Sequence, residues 1–286
     1  MAWFRKRGPV RFGVVASFRG GADEIRRAAE PLLARFQETL GEPVELIIAP
    51  SYEALLGSLA DHSVDLAWLS PILHIRAVAA GAEMIAVCRR HGSLTYRSAI
   101  LVRGDGPIEG IHDLRGARFA WTDVDSAAGY VLPKQTLLDL GLSEVDFVDE
   151  TFHEGFQDAA LSVASNAADV CACYVRDTED AEEARIDLRQ ALGNSIAAKL
   201  RILVLSDPIP CDGLVIGAHV ADHEAAELKK ALVTLSTTGY EESPVFKLFQ
   251  AEALEPMNDR VEQILMSWSL TDLALPYDDK GFPGDG

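Results

Sequence analysis

Long apolar runs are missing from this sequence. Charges break every stretch short of the roughly 18 residues a spanning helix needs, so the chain reads as not membrane-embedded. Positive charge is scarce as well: 26 Lys and Arg stand against 44 Asp and Glu, a net charge of −18. That field repels polynucleotide phosphates and anionic lipid, so no nucleic-acid partner is expected. Cysteine is limited to Cys88, Cys171, Cys173 and Cys211, in apolar surroundings and without framework spacing. Such residues read as reduced core thiols and tilt the reading towards the cytoplasm. An export signal is not recognised either. Arg5, Lys6 and Arg7 resemble a basic leader end, but the apolar stretch Phe12 to Phe18 ends at Arg19 without a small-residue cleavage site. The expectation is a cytoplasmic protein, or a periplasmic one if the sequence is a processed form.

Catalytic signatures are also lacking. There is no Gly-x-Ser-x-Gly elbow, no P-loop and no His-Glu-x-x-His, so no catalytic residue, cofactor or metal is assigned. Gly104, Gly106 and Gly110 have the wrong spacing for a dinucleotide fingerprint, with Pro107 where a helix should open, and read as a hinge or turn. His219 and His223 fit a solvated helix start better than a metal site. Cys171 and Cys173 share one side of a strand and fit core packing.

What is present is an ordinary globular composition over 286 residues, 48% apolar and 24% charged, enough for two units or one large one. Strand-like and helix-like segments alternate: Val10 to Ala16, the helical spacing of Asp23 to Leu40, Val44 to Ile48, Tyr52 to Ala60, Asp65 to Leu69, Ile72 to Ala80 and Met84 to Cys88. The alternation predicts parallel sheets covered on both faces. A second series follows the Gly104 cluster. It runs through Ala117 to Thr122, Ser126 to Leu140, Asp146 to Phe152, Phe156 to Ala167, Val170 to Val175, Glu179 to Leu192 and Leu200 to Leu205. After Asp207-Pro208-Ile209-Pro210 come the strand Leu214 to Ile216 and helices over about Asp222 to Gly239, Pro244 to Ala253 and Asp259 to Trp268, then a polar tail, Tyr277 to Gly286. The expected organisation is a first lobe begun by residues 1–103, a second lobe over 104–206, and a return to the first lobe with C-terminal helices over 207–286, joined by two hinge strands around a small-molecule cleft.

The segment Trp121-Thr122-Asp123-Val124-Asp125-Ser126-Ala127-Ala128-Gly129-Tyr130 carries the chemistry. A strand runs into a helix capped at Asp125 or Ser126, whose first N–H groups and macrodipole favour an anion. Small side chains at Ala127, Ala128 and Gly129 allow close approach to the backbone. The competing arrangement is an ordinary capped helix whose own aspartate occupies those groups.

At this segment the chain resembles the phosphate/phosphite/phosphonate solute-binding proteins of ABC transporters. The resemblance rests on Tyr96 to Leu142, on Asp65-Leu66-Ala67-Trp68-Leu69-Ser70-Pro71, on Gly155 to Val170 and on Ile209-Pro210, and covers roughly residues 10 to 240. It implies a type 2 periplasmic-binding-protein fold of two Rossmann-like lobes. It further implies an oxyanion held by Tyr52, Ser70, Tyr96, Ser126, Ala127, Ala128, Gly129 and Tyr130, and an ABC-transporter permease as partner. The family's Ser-Thr-Ser-Gly appears here as Ser126-Ala127-Ala128-Gly129, and its histidine before Asp-Ala-Ala is Gln157, leaving His153 as a displaced substitute beside Asp158. Losing two hydroxyl donors weakens phosphonate binding by roughly 3–6 kcal/mol, which points to a smaller or less charged organic anion such as a carboxylate. Read without the family, Tyr52, Tyr96 and Tyr130 are half-buried aromatics, Asp158 starts a helix, Asp169 is a strand-end residue, and Trp68 is core. Two rivals stay open: an enzyme of the same fold using Asp123, Asp125 or Asp158 as base, and an effector-sensing domain.

Overall fold

The computed structural model describes residues 8–16, 21–147, 149–235 and 243–268. The basic start Met1 to Arg7, the tail Tyr277 to Gly286 and the expected helix beyond Leu235 lie outside the described residues. In chain order the elements are β1 (Val10–Val15), α1 (Ala22–Leu40), β2 (Val44–Ala49), α2 (Tyr52–Ala60), β3 (Leu66–Leu69), α3 (Pro71–Ala79), β4 (Glu83–Arg89) and β5 (Thr95–Arg103). Then follow β6 (Arg118–Trp121), α4 (Leu132–Asp139), β7 (Asp149–Phe152), α5 (Phe156–Ala164), β8 (Val170–Arg176), α6 (Ala181–Leu192), α7 (Asn194–Ala197) and β9 (Leu200–Leu205). The last elements are β10 (Ile209–Pro210), β11 (Gly213–Ile216), α8 (Asp222–Leu235), α9 (Pro244–Phe249), β12 (Ala253–Glu255) and α10 (Asp259–Ser267).

The chain divides into two compact units. The first takes the residues up to Leu94 and Pro210–Leu265, the second Thr95–Ile209 and the chain from Met266. The crossing therefore falls at Leu94–Thr95 and not at Gly104. The reason is pairing: β5 is antiparallel to β8 from Tyr96 to Val102 and to β9 from Ala99 to Arg103, which makes it part of the second sheet. Gly104, whose N–H reaches Lys199 O at 2.8 Å, turns the chain within that unit.

The first unit holds a sheet in the order β12-β4-β11-β3-β1-β2. Strands β1, β2 and β3 are parallel, while β11 and β12 run antiparallel to their neighbours, so the sheet is mixed where a parallel one is expected. The return segment enters at the carboxyl end of β3, where Gly213 pairs with Leu69, and so runs backwards. Helix α1 buries Ile25, Ala29, Leu32 and Phe36 at helical spacing and stops at Gly41, whose φ of 71° is cheap only for glycine. Phe12, Trp68 and Phe249 pack as an aromatic core with ring centroids 6.3 Å apart.

The second unit holds a sheet in the order β10-β5-β8-β6-β7, with β9 beside β5. Here β6, β7 and β8 are parallel. Leu101, Ala120, Val163, Cys171, Cys173 and Leu188 are buried between sheet and helices, which places the cysteine pair in the core.

Candidate functional site

In the second unit, β6 delivers the chain to Thr122 with Phe119, Ala120 and Trp121 fully buried. Asp123 then shapes the turn, its carboxylate accepting from Asp125 N–H at 2.8 Å and its carbonyl from Ser126 N–H at 2.9 Å. Ser126 is the cap, its Oγ accepting from Gly129 N–H at 3.0 Å. The first turn, Ala127–Val131, is a wide π turn that continues into α4.

Pro133 explains the width. It offers no N–H, so the carbonyls one turn back lack a helical donor, and its ring crowds them. Both are satisfied from outside the helix: Ser98 Oγ donates to Ala128 O at 2.7 Å, and Thr122 N–H donates to Gly129 O at 3.2 Å. Ala127 O accepts from Leu132 N–H, and Ser126 O from Tyr130 N–H at 3.1 Å and Val131 N–H at 3.0 Å. The N–H groups of Ala127 and Ala128 have no partner among the described residues, although both residues are buried. Amides at the start of a helix lack intrahelical partners and are able to donate to an anion.

Small size is required here. A Cβ on Gly129 would lie 1.8 Å from Thr122 Oγ1, itself buried and without a hydrogen-bond partner among the described residues. Tyr130 faces inward. Its ring meets Trp121 at 5.8 Å and Phe152 at 5.1 Å, with Lys134 Nζ 5.5 Å from its centroid, and burial raises its hydroxyl pKa. Lys134 bonds both Glu150 oxygens at 3.1 Å, and Trp121 Nε1 donates to Glu150 at 2.7 Å. Burial pulls the Lys134 ammonium down, but its bond to Glu150, together with Tyr130 and Glu144, outweighs this and the Lys134 pKa is raised. The Tyr130 ring thus anchors the turn from beneath.

Register brings other expected residues to the same sheet edge. Phe152 pairs with Trp121, and His153 N–H donates to Trp121 O at 3.0 Å; the His153 ring lies 3.2 Å from Thr151 Oγ1. Tyr96 pairs with Arg176, at the carboxyl end of β8. Asp158 lies exposed in the first turn of α5 and caps nothing. In the first unit, half-buried Tyr52 opens α2 after the Ser51 cap. Ser70 caps α3 with its carbonyl, and its buried Oγ has no partner among the described residues. Both follow carboxyl ends of parallel strands, where α/β folds bind ligands. Ser98, Thr122 and Pro133 escape motif reading; a proline inside an expected helix is the one signal that marks them.

Rival chemistries gain no geometry. His219 Nε2 lies 2.9 Å from Asp65, and its ring stacks on His62 at 4.4 Å, while no group of His, Cys, Asp or Glu among the described residues could hold a metal. The cysteines are buried and free, and burial pushes the Cys171 thiol up to about 12, far from a reactive thiolate. No described helix is long and apolar enough to cross a membrane.

Two α/β units, each with parallel strands whose carboxyl ends lead into helices, have the build of a periplasmic-type binding protein. The family described as ABC transporter, phosphonate, periplasmic substrate-binding protein matches residues 12–261, and the chain belongs to it. The family comprises substrate-binding proteins and not enzymes. The phosphonates-binding periplasmic protein of Escherichia coli K12 is 25% identical over 213 residues, 72% of this chain and 60% of that protein. The phosphate-import protein PhnD of Mycolicibacterium smegmatis is 27% identical over 160 residues, 52% of this chain and 50% of that protein. The matches thus span less than two thirds of these relatives' length. The solved structure of XAC2383 from Xanthomonas citri bound to ATP shares the fold at a TM-score of 0.77 and 17% identity, over 91% of this chain and 95% of that one. The family's description is periplasmic, so the cytoplasmic expectation drawn from the cysteines finds no support in it.

Proposed function

We propose that the protein captures a small organic oxyanion and hands it to an ABC-transporter permease outside the cytoplasmic membrane. One observation carries this reading: the N–H groups of Ala127 and Ala128 donate to nothing among the described residues, at the start of a helix in a substrate-binding family. Each charge-assisted bond from such an amide contributes about 1.5–3 kcal/mol, and the helix dipole adds up to ~1 kcal/mol. With alanine at both positions the grip is made by backbone, which suits a singly charged head better than a doubly charged one. Tyr52, Ser70, Tyr96, His153 and Asp158 are further proposed contacts, drawn from the resemblance and from their places at carboxyl strand ends. Four thiols shielded from oxidant are compatible with an oxidising compartment.

Calorimetric titration with acetate, methylphosphonate and inorganic phosphate tests the proposal. Acetate or methylphosphonate should bind more tightly than phosphate, and Ser126→Trp, which fills the space before the amides, should abolish the heat. Tighter binding of phosphate, or a Ser126→Trp variant that titrates like the wild type, would overturn it.

A further inference from the structure

Three neighbouring strands of the second unit, in the order β8-β6-β7, end on apolar side chains that stay in water. Tyr174, near the carboxyl end of β8, is 44% exposed, and Phe152, the last residue of β7, is 47% exposed. Val124, in the turn that follows β6, is exposed as well. Among the described residues, Tyr174 and Phe152 are the only aromatic rings in water to that degree.

Register puts both rings on one face of the sheet. Tyr174 pairs with Ser98, whose hydroxyl reaches the Ala128 carbonyl at 2.7 Å, and Phe152 pairs with Trp121, whose ring meets that of Tyr130. Paired residues share a face, so both rings lie on the side that carries the turn Ala127–Val131. Only β6 stands between their strands, which sets the two backbones about 10 Å apart.

Exposed apolar side chains gathered at one end of a sheet mark a surface that something covers. These rings are also braced. Phe152 meets Tyr130 at 5.1 Å and Tyr174 meets Phe156 at 5.2 Å, both edge to face, so each stands on a more buried ring and loses little freedom when covered. The charged side chains next to them are already engaged: Glu150, two residues before Phe152, by Lys134 and Trp121, and Arg176, two residues after Tyr174, by Asp187 at 2.7 Å. A charged group laid between the rings would find neither open. Thr122, at the foot of the turn, is the opposite case. It is 4% exposed, its Oγ1 has no partner among the described residues, and a Cβ on Gly129 would meet both that hydroxyl and Ser126 Oγ. The turn is thus polar at its foot and apolar at its rim, as small-molecule sites are.

We infer that Phe152 and Tyr174 select the substituent of the captured anion: the substrate is an organic oxyanion bearing an apolar group, such as an aryl ring, that lies against these two rings and Val124. The inference rests on the proposed capture of an oxyanion, but not on which groups hold its head.

Calorimetric titration with two pairs of probes tests it, phenylphosphonate against methylphosphonate and benzoate against acetate, each pair differing only in the substituent. For the head group that the wild type binds, the phenyl probe should bind at least about tenfold more tightly. Tyr174→Ser and Phe152→Thr, both at exposed positions, should each bring the ratio of the two dissociation constants down several-fold, and the double variant should bring it close to one. If no probe of either pair binds, the capture itself fails and the inference falls with it. Binding of methylphosphonate or acetate with no gain for the phenyl probe overturns the inference and leaves the capture standing. A phenyl preference that survives in the double variant overturns it too, because the substituent then lies elsewhere. Should either variant fail to fold, Tyr174→Gln or Phe152→Gln takes its place with the same criteria.

Discussion

Arg118 closes on Asp169 with its backbone N–H at 2.9 Å, its Nε at 2.9 Å and its Nη2 at 2.7 Å. In the other unit Arg11 holds Asp65 through the same atoms at 2.9, 3.0 and 2.7 Å. Each pair fastens the start of one parallel strand to the residue before the next, β1 to β3 and β6 to β8. Sequence comparison of the two halves shows no repeat, because the shared feature is one Arg–Asp pair and not a run of residues. The pairs differ in exposure: the Asp65 side chain is 6% exposed and that of Asp169 28%. Removing one partner of a buried pair costs about 3 kcal/mol or more, and of an exposed pair up to about 1 kcal/mol. Urea unfolding should therefore show Asp65→Ala as much the more damaging change.

Acid should destabilise the first unit in two steps. Burial pulls the His74 imidazole down to about 4 despite its bond to Gly213 O. The unfolded chain thus binds more protons as pH falls below about 6.5, and stability declines until the folded group itself titrates near 4. Burial raises the Asp65 carboxyl, but the Arg11 and His219 bonds more than offset this and hold it at about 2. Its contribution is present above the ordinary carboxylate value and fades as pH falls through about 2. Unfolding followed against pH should show the upper step disappear in His74→Leu and the lower step in Asp65→Asn.

Pro133 and the π turn should be separable from overall stability. Pro133→Ala restores an N–H that competes with Ser98 and Thr122 for the Ala128 and Gly129 carbonyls. The helix then tightens towards regular α geometry. Thermal unfolding should move by only about a few degrees, while anion affinity measured by calorimetry falls about tenfold.

Gly129 admits no side chain, since a Cβ there would lie 1.8 Å from Thr122 Oγ1 and 2.9 Å from Thr122 Cβ. Gly129→Ala should cost about 1–3 kcal/mol by overpacking and abolish anion binding. Adding Thr122→Ala removes the nearer clash but not the farther one. The double variant should recover part of the stability in denaturant titration.

Much of the architecture is legible in the residues. Tyr52 to Ala60 is read as a helix to the residue, because Ser51 caps it and Leu55 and Leu59 give it a buried face. The strands β3, β6 and β8 announce themselves as short apolar runs. Elements that depend on distant partners do not. The short strand β12 exists because Ala253 to Glu255 pair with Arg89 to Val87, and its sequence carries no β signal of its own. The direction of β11 follows from where the chain re-enters the sheet, which local pattern does not encode. At the candidate site, the anion-favouring turn is visible in Ser126 to Gly129. The inward commitment of the Tyr130 ring is not, because it comes from Trp121, Phe152 and the Lys134–Glu150 pair. Ser98 is equally silent, since nothing about a serine in a strand reveals the carbonyl it will meet.

The most direct measurement is a crystal structure of the protein grown with methylphosphonate. An anion oxygen should lie at hydrogen-bond distance, about 2.9 Å, from the backbone nitrogens of both Ala127 and Ala128. Those nitrogens bonded instead to a carboxylate of the chain, with the anion held elsewhere, would contradict it.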